Sequence, residues 1–284
     1  MPLVYAAIAP HGDLAIPEAC DADHRALAKR TQAAMAELGR RFGAARLEAV
    51  IVLTPHNVHV QGHLAVVVSG SIAGVLEESG EQVGVEESAG SVRLEVPVDR
   101  GLAEDVLAAR SRGRVPALGI SYGGNDAQTA TFPLDWGSLI PLWYMGGRLD
   151  PPVPVVCVAP ARDLPGEQHI AAGLAIAEAT ATNPKRIALI ASADHAHTHR
   201  ADGAYGFHPA AREFDDLVVA AVRGDDLGRL VDVDRQLIEN AKPDSWWQLL
   251  MFHGALGAAW HGELLSYEAP TYYGMLCAAY SPRE

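Results

Sequence analysis

Near-continuous apolar runs, each followed directly by a polar cluster, recur along this chain and restrict the folds open to it. A strand without polar alternation is buried on both faces, as in the sheets of α/β proteins. Five stretches have this character: residues 3–9, 47–53, 117–121, 153–158 and 186–191. A sheet built from them needs cover on both faces, and the segments between the runs must provide it.

The segments between the apolar runs have the residue spacing of amphipathic helices. We predict helices over 22–42, 100–112, 166–181, 209–222 and 225–240, and one from Pro243-Asp244-Ser245 to about residue 261. Residues 63–98 contain short alternating β-type runs, with a loop or hairpin end at 80–90. We therefore predict one α/β domain over residues 1–284, with a central mostly parallel or mixed sheet flanked by helices.

Charge and cysteine usage narrow the class of partner. The formal net charge is −13, and a chain this acidic is poorly suited to nucleic acid or to an anionic membrane surface. No apolar run is long enough for a membrane helix, and the N-terminus has the pattern of a core strand rather than of a signal peptide. Cys20, Cys157 and Cys277 show no CxxC spacing, so we expect no disulfide framework and a cytoplasmic protein.

Three of the apolar runs end in histidine. His11 and His56 each follow a proline directly after a run, and a later run leads into His195, His197 and His199. Ligands of open α/β sheets bind beyond the carboxyl ends of the strands, so these side chains can converge there. Imidazole binds iron, zinc, copper and nickel, and two histidines with one carboxylate favour Fe(II) and oxygen chemistry. We predict a metal site at the carboxyl ends of the strands.

The other histidines have no such placement. A lone histidine in a loop is usually a surface or packing residue, and this interpretation covers His63, His169, His253 and His261. His59 lies close enough to His56 in sequence to reach the site, and His199 is expected at its rim.

Four short motifs, in order, resemble those of one family. They are Pro10-His11-Gly12-Asp13, Thr54-Pro55-His56-Asn57, Ser192-Ala193-Asp194-His195-Ala196-His197 and Phe252-His253-Gly254-Ala255-Leu256. Each is weak alone, but their order and spacing over nearly the whole chain resemble the class III extradiol ring-cleavage dioxygenases. This is the superfamily of the protocatechuate 4,5-dioxygenase catalytic subunit.

The resemblance implies three metal ligands and one acid/base histidine, and six residues are candidates for these four roles. Fe(II) is expected on His11, His56 and a carboxylate near the start of the late helix. Asp244 and Glu239 both qualify for the carboxylate, with Asp244 preferred because it opens that helix. His197 matches the acid/base histidine of the family, and His195 is the alternative two residues earlier. Asp13 and Asn57 are candidates for holding the ligand histidines in place.

One position departs from the family pattern. Many relatives carry Asp-His-Gly before a Pro-Leu pair, whereas this chain has Asp135-Trp136-Gly137 before Pro141-Leu142. An indole is a hydrogen-bond donor only, so Trp136 cannot accept a proton as that histidine can. Aromatic residues can form the substrate pocket by stacking on a ring, although large aromatic residues more often belong to the core. The candidates are Tyr122, Phe132, Trp136, Trp246 and Trp247.

The resemblance implies cleavage of a catechol or 2-aminophenol ring with O₂. Zn(II) is an alternative metal, because the same ligands bind it, and a non-enzymatic relative of the superfamily is an alternative function. The sequence has no HExxH and no GxSxG motif, so the common hydrolase classes lack support. We expect a homo-oligomer, and the small second subunit of some relatives is a further candidate partner. The segment 278–280 and the pair Tyr272-Tyr273 are consistent with an interface or lid, and 278–280 equally with a core strand.

Overall fold

An eight-stranded mixed sheet lies at the centre of the computed structural model, which describes residues 3–20, 23–76, 91–112 and 115–283. The strands are β1 (Leu3–Ala9), β2 (Ala49–Leu53), β3 (Leu64–Val67), β4 (Ser71–Leu76), β5 (Val92–Pro97), β6 (Ala117–Ile120), β7 (Thr131–Pro133), β8 (Val155–Ala159), β9 (Ile187–Ser192), β10 (Trp260–Glu268) and β11 (Met275–Pro282). The helices are α1 (Lys29–Ala44), α2 (Arg100–Arg112), α3 (Trp136–Tyr144), α4 (Gly166–Ala181), α5 (Ala210–Arg223), α6 (Arg235–Ala241) and α7 (Trp246–Leu256). Short 3₁₀ helices span Asp13–Ala15, Pro17–Ala19, Leu227–Asp232 and Gly257–Ala259.

The strand order of the large sheet is β10-β11-β1-β9-β2-β8-β3-β6. The four central strands β1, β9, β2 and β8 are parallel, so their carboxyl ends lie at one edge. Strand β3 runs antiparallel to β8, and β11 runs antiparallel to β1. A smaller sheet has the order β5-β4-β7. The predicted α/β class, with a mixed sheet flanked by helices, is confirmed, while the predicted extent of the domain, 1–284, stays a prediction.

Alternate residues of the central strands face two separate cores. In β2, Ile51 and Leu53 face the core formed with α2, α4, α5 and α7, whereas Val50 and Val52 face the core formed with α1, α3 and the small sheet. All five residues of β2 are buried. This burial on both faces explains why the strand has no polar alternation. Strand β6 differs, because it lies at the sheet edge and Leu118 is exposed, so the expectation of burial on both faces was wrong there.

Three helix predictions need correction. Residues 225–240 do not form one helix, because the chain is extended at Val233 and Asp234 then caps α6 with its side chain. The late helix does not reach residue 261: it ends at Leu256, Gly257 adopts a positive φ of 56°, and strand β10 begins at Trp260. The hairpin of β10 and β11 places 278–280 in a core strand. Helix α1 begins at Lys29, later than the predicted residue 22, and the predicted loop at 80–90 lies outside the described residues.

No helix within the described ranges has the length and apolar character required to cross a bilayer.

Candidate metal centre

Three side chains from separate parts of the chain meet at the carboxyl edge of the parallel strands. His11 follows β1, His56 follows β2, and Asp244 precedes α7. One nitrogen or oxygen of each lies within 4.8 Å of the others. The Nε2 atoms of His11 and His56 are 3.2 Å apart, and His56 Nε2 lies 3.5 Å from Asp244 Oδ2. Strands β1 and β2 both pair with β9, which brings the two histidines to one place.

The His11 ring is held in one tautomer by its surroundings. Ser192 Oγ donates its single proton to the carbonyl of Gly137, so in its 3.0 Å contact with His11 Nδ1 it can only accept. His11 therefore carries its proton on Nδ1 and has a lone pair on Nε2. The ring is buried, and burial followed by the neighbouring histidines lowers its pKa well below the usual value. The imidazole is thus neutral and its lone pair points at the cluster.

His56 lies between His11 and Trp136. The two imidazole rings meet edge to face at 4.9 Å between centroids, and the Trp136 ring lies 4.5 Å from the His56 ring. Burial lowers the pKa of His56 to about 4, against the opposing effect of the Asp244 carboxylate. At neutral pH this second imidazole is also uncharged, which is the state that binds a metal.

Asp244 is oriented by Arg162 and by the backbone. Its Oδ1 accepts a 2.7 Å hydrogen bond from Arg162 Nη2, and its backbone N–H donates to the carbonyl of Asp194 at 3.1 Å. The other carboxylate oxygen, Oδ2, faces the histidines. The competing candidate Glu239 is exposed on α6, where it pairs with Arg235 at 3.2 Å. Of the two candidate carboxylates, the structure brings Asp244 to His11 and His56.

The donor set fits a single divalent cation. Two neutral imidazoles and one carboxylate converge, and the guanidinium of Arg162 takes only the carboxylate oxygen that faces away from them. Such a set suits Fe(II) in oxygen-dependent enzymes and also suits Zn(II). His11, His56 and Asp244 are the residues that would hold the ion.

The two candidate acid/base histidines have different environments. His197 borders the cleft, with Nε2 3.8 Å from Asp244 Oδ2, and its ring stacks on Tyr273 at 5.7 Å. Burial lowers its pKa. His195 is fully buried, with Nδ1 3.0 Å from Ser245 Oγ, and burial lowers its pKa to about 4. Only His197 of the pair lines the cleft around the donors.

Several residues around the donors were not assigned a role from the sequence. Asp194 is buried, accepts the backbone N–H of His11 at 3.0 Å, and has a pKa raised well above its usual value by burial. Ser192 contacts His11, Arg162 donates to Asp244, and the hydroxyl of Tyr273 donates to Asp13 at 3.2 Å. Ser192 and Asp194 belong to a motif that the sequence analysis had already singled out, so their place near the site was indicated by the sequence. Arg162 lies far from Asp244 in sequence, and only the fold shows that they meet.

Two adjoining pockets, here called lobes, lie beside the three donors. The metal lobe, of about 360 Å³, surrounds the donors, and its walls include Asp13, Trp136, Asp194 and the pair Tyr272-Tyr273. The side lobe, of about 580 Å³, lies between residues 162–166 and residues 231–247. His197, Tyr205 and Asp244 border both lobes, so the two lobes adjoin at these residues.

The predicted pocket residues separate into two groups. Trp136 lines the metal lobe, and Trp246 and Trp247 line the side lobe. Tyr122 is exposed and its ring contacts Phe132 at 6.3 Å, and neither residue lines a described lobe. Asn57, with a positive φ of 74°, has no contact with a ligand histidine among the described bonds, and its amide nitrogen is a buried donor without a partner there.

The remaining histidines lie outside the cluster. His199 pairs with the buried carboxylate of Asp215 at 2.7 Å, and His261 pairs with Asp225 at 2.7 Å. His169 contacts the carbonyl of Pro165, and His63 contacts that of Gln61. Among the residues that the structure describes, these four are not part of a metal-binding group.

A mixed α/β sheet that carries two histidines and a carboxylate at its carboxyl edge defines a class of protein able to hold one metal ion. The family model described as the catalytic LigB subunit of aromatic ring-opening dioxygenase matches residues 5–277. The chain belongs to this family, and the resemblance inferred from the motifs is confirmed. Membership makes it a relative of dioxygenases that open aromatic rings.

Two individual proteins are similar to this chain. Protein CA_C1420 of Clostridium acetobutylicum is 22% identical over 265 residues, which are 91% of this chain and 53% of that protein. The chain therefore spans about half the length of this curated relative. The crystal structure of the uncharacterized protein JW3007 from Escherichia coli K12 has a TM-score of 0.61 at 16% sequence identity, over 97% of this chain and 99% of that one. That likeness supports the fold alone.

Proposed function

We propose that this protein is an Fe(II)-dependent extradiol dioxygenase that opens a catechol or 2-aminophenol ring with O₂. The observation that carries the proposal is the convergence of His11, His56 and Asp244 within 4.8 Å. Two histidines and one carboxylate with open positions are the ligand set of non-haem Fe(II) oxygenases. Membership of the ring-opening dioxygenase family supports the same chemistry.

The bound iron would supply a Lewis acid and a redox centre at which ring and O₂ can be brought together. The residues of the chain would hold the ring in place. The indole of Trp136 and the ring of Tyr273 border the metal lobe from different elements, α3 and the segment before β11. Aromatic faces of this kind orient a flat substrate and exclude water from it.

His197 is the residue we assign to proton transfer. Its Nε2 faces the metal lobe, and its lowered pKa keeps the imidazole neutral at pH 7. A neutral imidazole can take the proton of a ring hydroxyl and return it later in the reaction. His195 has no route to the metal lobe comparable to that of His197, since it is fully buried. It acts in this proposal as a packing residue.

The test is anaerobic loading with Fe(II), followed by O₂ uptake and absorbance of a yellow ring-opened product with a panel of catechols and 2-aminophenols. His11→Ala and His56→Ala are each expected to abolish turnover, because each removes a metal ligand. His261→Ala is the matched control, an exposed histidine on β10 that pairs with Asp225. Stoichiometric iron binding without O₂ uptake on any member of the panel would contradict the proposal.

Two other functions have a specific observation in their favour. The same ligands suit Zn(II), and metal-dependent turnover that persists without O₂ would indicate a zinc enzyme. Trp136 stands where many relatives carry a histidine, which favours a non-enzymatic relative. Metal analysis separates that alternative, because a binding protein does not require a stoichiometric metal in the cleft.

A further inference from the structure

One arginine lies beside two of the three donors of the candidate metal centre. Arg162 follows β8, and β8 pairs in parallel with β2, the strand that His56 follows. The backbone N–H of Thr54 donates to the carbonyl of Val158 at 3.0 Å, so the two segments leave the sheet side by side. Parallel neighbours end at the same edge of a sheet, which explains how Arg162 reaches a site formed by residues distant in sequence.

A single nitrogen of Arg162 joins two of the segments that carry donors. Nη2 donates to the backbone carbonyl of Pro55, the residue before His56, at 3.2 Å. The same nitrogen donates to Oδ1 of Asp244 at 2.7 Å, the length of a charge-assisted hydrogen bond. Nη2 carries two N–H groups, so both bonds can form at once. One guanidinium therefore holds the segment before His56 against the segment before α7.

The guanidinium is itself held in place. Its carbon lies 4.8 Å from the centroid of the Trp247 ring, within the range of a cation–π contact. Trp247 lies in the first turn of α7, the helix that Asp244 precedes. The side chain of Arg162 is 35% exposed and that of Asp244 is 18% exposed, so their ion pair is partly shielded from water. Its geometry is thus fixed on three sides, unlike that of a flexible surface pair.

The ion pair leaves Asp244 with one free oxygen. Oδ1 is bound to Arg162, whereas Oδ2 lies 3.5 Å from His56 Nε2 and 3.8 Å from His197 Nε2. Carboxylates in metal sites bind through one oxygen or through both. An octahedral ion held by one atom from each of three residues keeps three positions open. A carboxylate that bound through both oxygens would take one of these positions.

We propose that Arg162 is a positioning residue that restricts Asp244 to binding through one oxygen, and so reserves a position on the ion for the second heteroatom of the substrate ring. This inference rests on the proposed function, since a ring diol or aminophenol needs two adjacent positions besides one for O₂. Arg162 acts through Asp244 alone and contacts neither the ring nor O₂ in this role.

The test compares two ligands of the Fe(II)-loaded protein under nitrogen, so that no turnover occurs. 4-Nitrocatechol can bind an ion through two oxygens and 4-nitrophenol through one, and visible absorbance reports both at a pH where each is a monoanion. In Arg162→Met, the freed Oδ1 of Asp244 competes for the second position. We expect the dissociation constant of nitrophenol divided by that of nitrocatechol to fall about tenfold, as is usual when a ligand loses its hydrogen-bond partner.

The ratio of dissociation constants separates coordination from charge. Loss of the guanidinium weakens the binding of any anion to the centre, and this effect is equal for two ligands of equal charge. Methionine keeps an unbranched side chain that can pack on Trp247. Arg283→Met is the matched control and should leave the ratio unchanged. Arg283 donates to the Asp225 carboxylate at 2.7 Å and to the carbonyl of Trp260 at 3.2 Å, and none of the three lines either lobe.

Three results would overturn the inference. An unaltered ratio in Arg162→Met would mean that the guanidinium acts only through its charge. Equal dissociation constants for the two ligands in the unaltered protein would mean that no second position is reserved. Loss of stoichiometric Fe(II) binding in Arg162→Met would make Arg162 a support of the carboxylate and not a limit on it. O₂ uptake with the panel of catechols and 2-aminophenols is measured separately and decides the proposed function alone.

Discussion

The hydroxyl of Ser192 connects His11, a donor of the candidate metal centre, to the backbone of helix α3, since it accepts from His11 Nδ1 and donates to Gly137. Ser192→Ala would leave the Nδ1 proton of His11 without its acceptor and would release the ring orientation. We expect the affinity for Zn(II), measured by competition with a chelator, to fall about 10- to 100-fold, the usual effect of losing a partner of a ligand histidine.

The matched control for Ser192 is Thr180→Val. Thr180 is another buried hydroxyl that donates to a backbone carbonyl, that of Ile176 in α4, and it is not among the residues that line the cleft. Its loss should leave the affinity unchanged. An affinity for Zn(II) that is equal in Ser192→Ala and in the unaltered protein would mean that His11 is oriented by its packing alone.

His195 makes the stability of the metal-free protein depend on pH. Burial lowers the pKa of His195 from 6.5 to about 4, so the unfolded chain binds more protons than the folded chain between these values. The neutral, buried His195 therefore contributes fully to the free energy of unfolding above pH 6.5. This contribution, about 3 kcal/mol, is lost as the pH falls from 6.5 through 4. Urea unfolding at a series of pH values should show this decline.

The pH dependence of the free energy of unfolding that we assign to His195 is isolated by comparing the unaltered protein with His195→Gln. The raised pKa of Asp194 acts with the opposite sign, since its contribution is lost as the pH rises, but it is present in both proteins and cancels in the difference. His195→Gln should therefore be less sensitive to acid between pH 6.5 and 4. Parallel pH profiles for the two proteins would exclude a neutral, buried His195 as the cause.

At the scale of secondary-structure elements, helices α4 and α7 pack closely where Gly173 of α4 meets Gly254 of α7. A Cβ on Gly173 would collide with the carbonyl oxygen of Met251 and come within 2.8 Å of the Gly254 Cα. Gly173→Ala must push α7 away from α4, and overpacking of this kind costs about 1–3 kcal/mol. We expect a lower Tm by calorimetry, and weaker metal binding because Asp244 lies just before α7.

A glycine in another helix serves as the control for this crossing. Gly43 lies in α1 and is exposed, and a Cβ added there would meet no atom within 4 Å. Gly43→Ala should raise stability by about 0.5–1 kcal/mol, because alanine loses less backbone entropy in a helix. If both substitutions shift Tm in the same direction, the two helices are packed too loosely at Gly173 for a methyl group to separate them.

The elements that the sequence predicts well are those whose periodicity is set by burial. The predicted bounds of β1, Leu3–Ala9, and of α4, Gly166–Ala181, agree with those observed. The break before α6 depends on the local turn at Val233, and strand β10 alternates regularly between buried and exposed residues only over 260–263. Their structure is decided by pairing with distant segments, such as β11 for β10.

The same division applies to the candidate site. The placement of His11 and His56 follows from the ends of two apolar strands, and the sequence carries that information locally. The choice between Asp244 and Glu239 depends on which way the chain turns at Lys242, and the roles of Ser192 and Arg162 depend on contacts across the sheet. Residue types and spacing alone do not contain these contacts.

At the scale of the whole molecule, all three cysteines are buried. Burial raises the pKa of Cys157 and of Cys277 to about 12, so neither is a thiolate at neutral pH. We expect Ellman's reagent to modify less than one thiol per native chain and three per chain in guanidinium. Rapid modification of one or more thiols in the native protein would show that the core opens on the time scale of the reaction.

The three donors of the candidate metal centre come from positions 11, 56 and 244, with β1 held between β9 and β11. During synthesis at about 5–20 residues per second, Asp244 would leave the ribosome some 10–40 s after His56. His11 and His56 therefore have no carboxylate partner while most of the sheet is still being synthesised. We expect the ion to be taken up by a chain that has already folded, as a late step of maturation, so that the supply of metal controls how much protein is active and not how much protein folds.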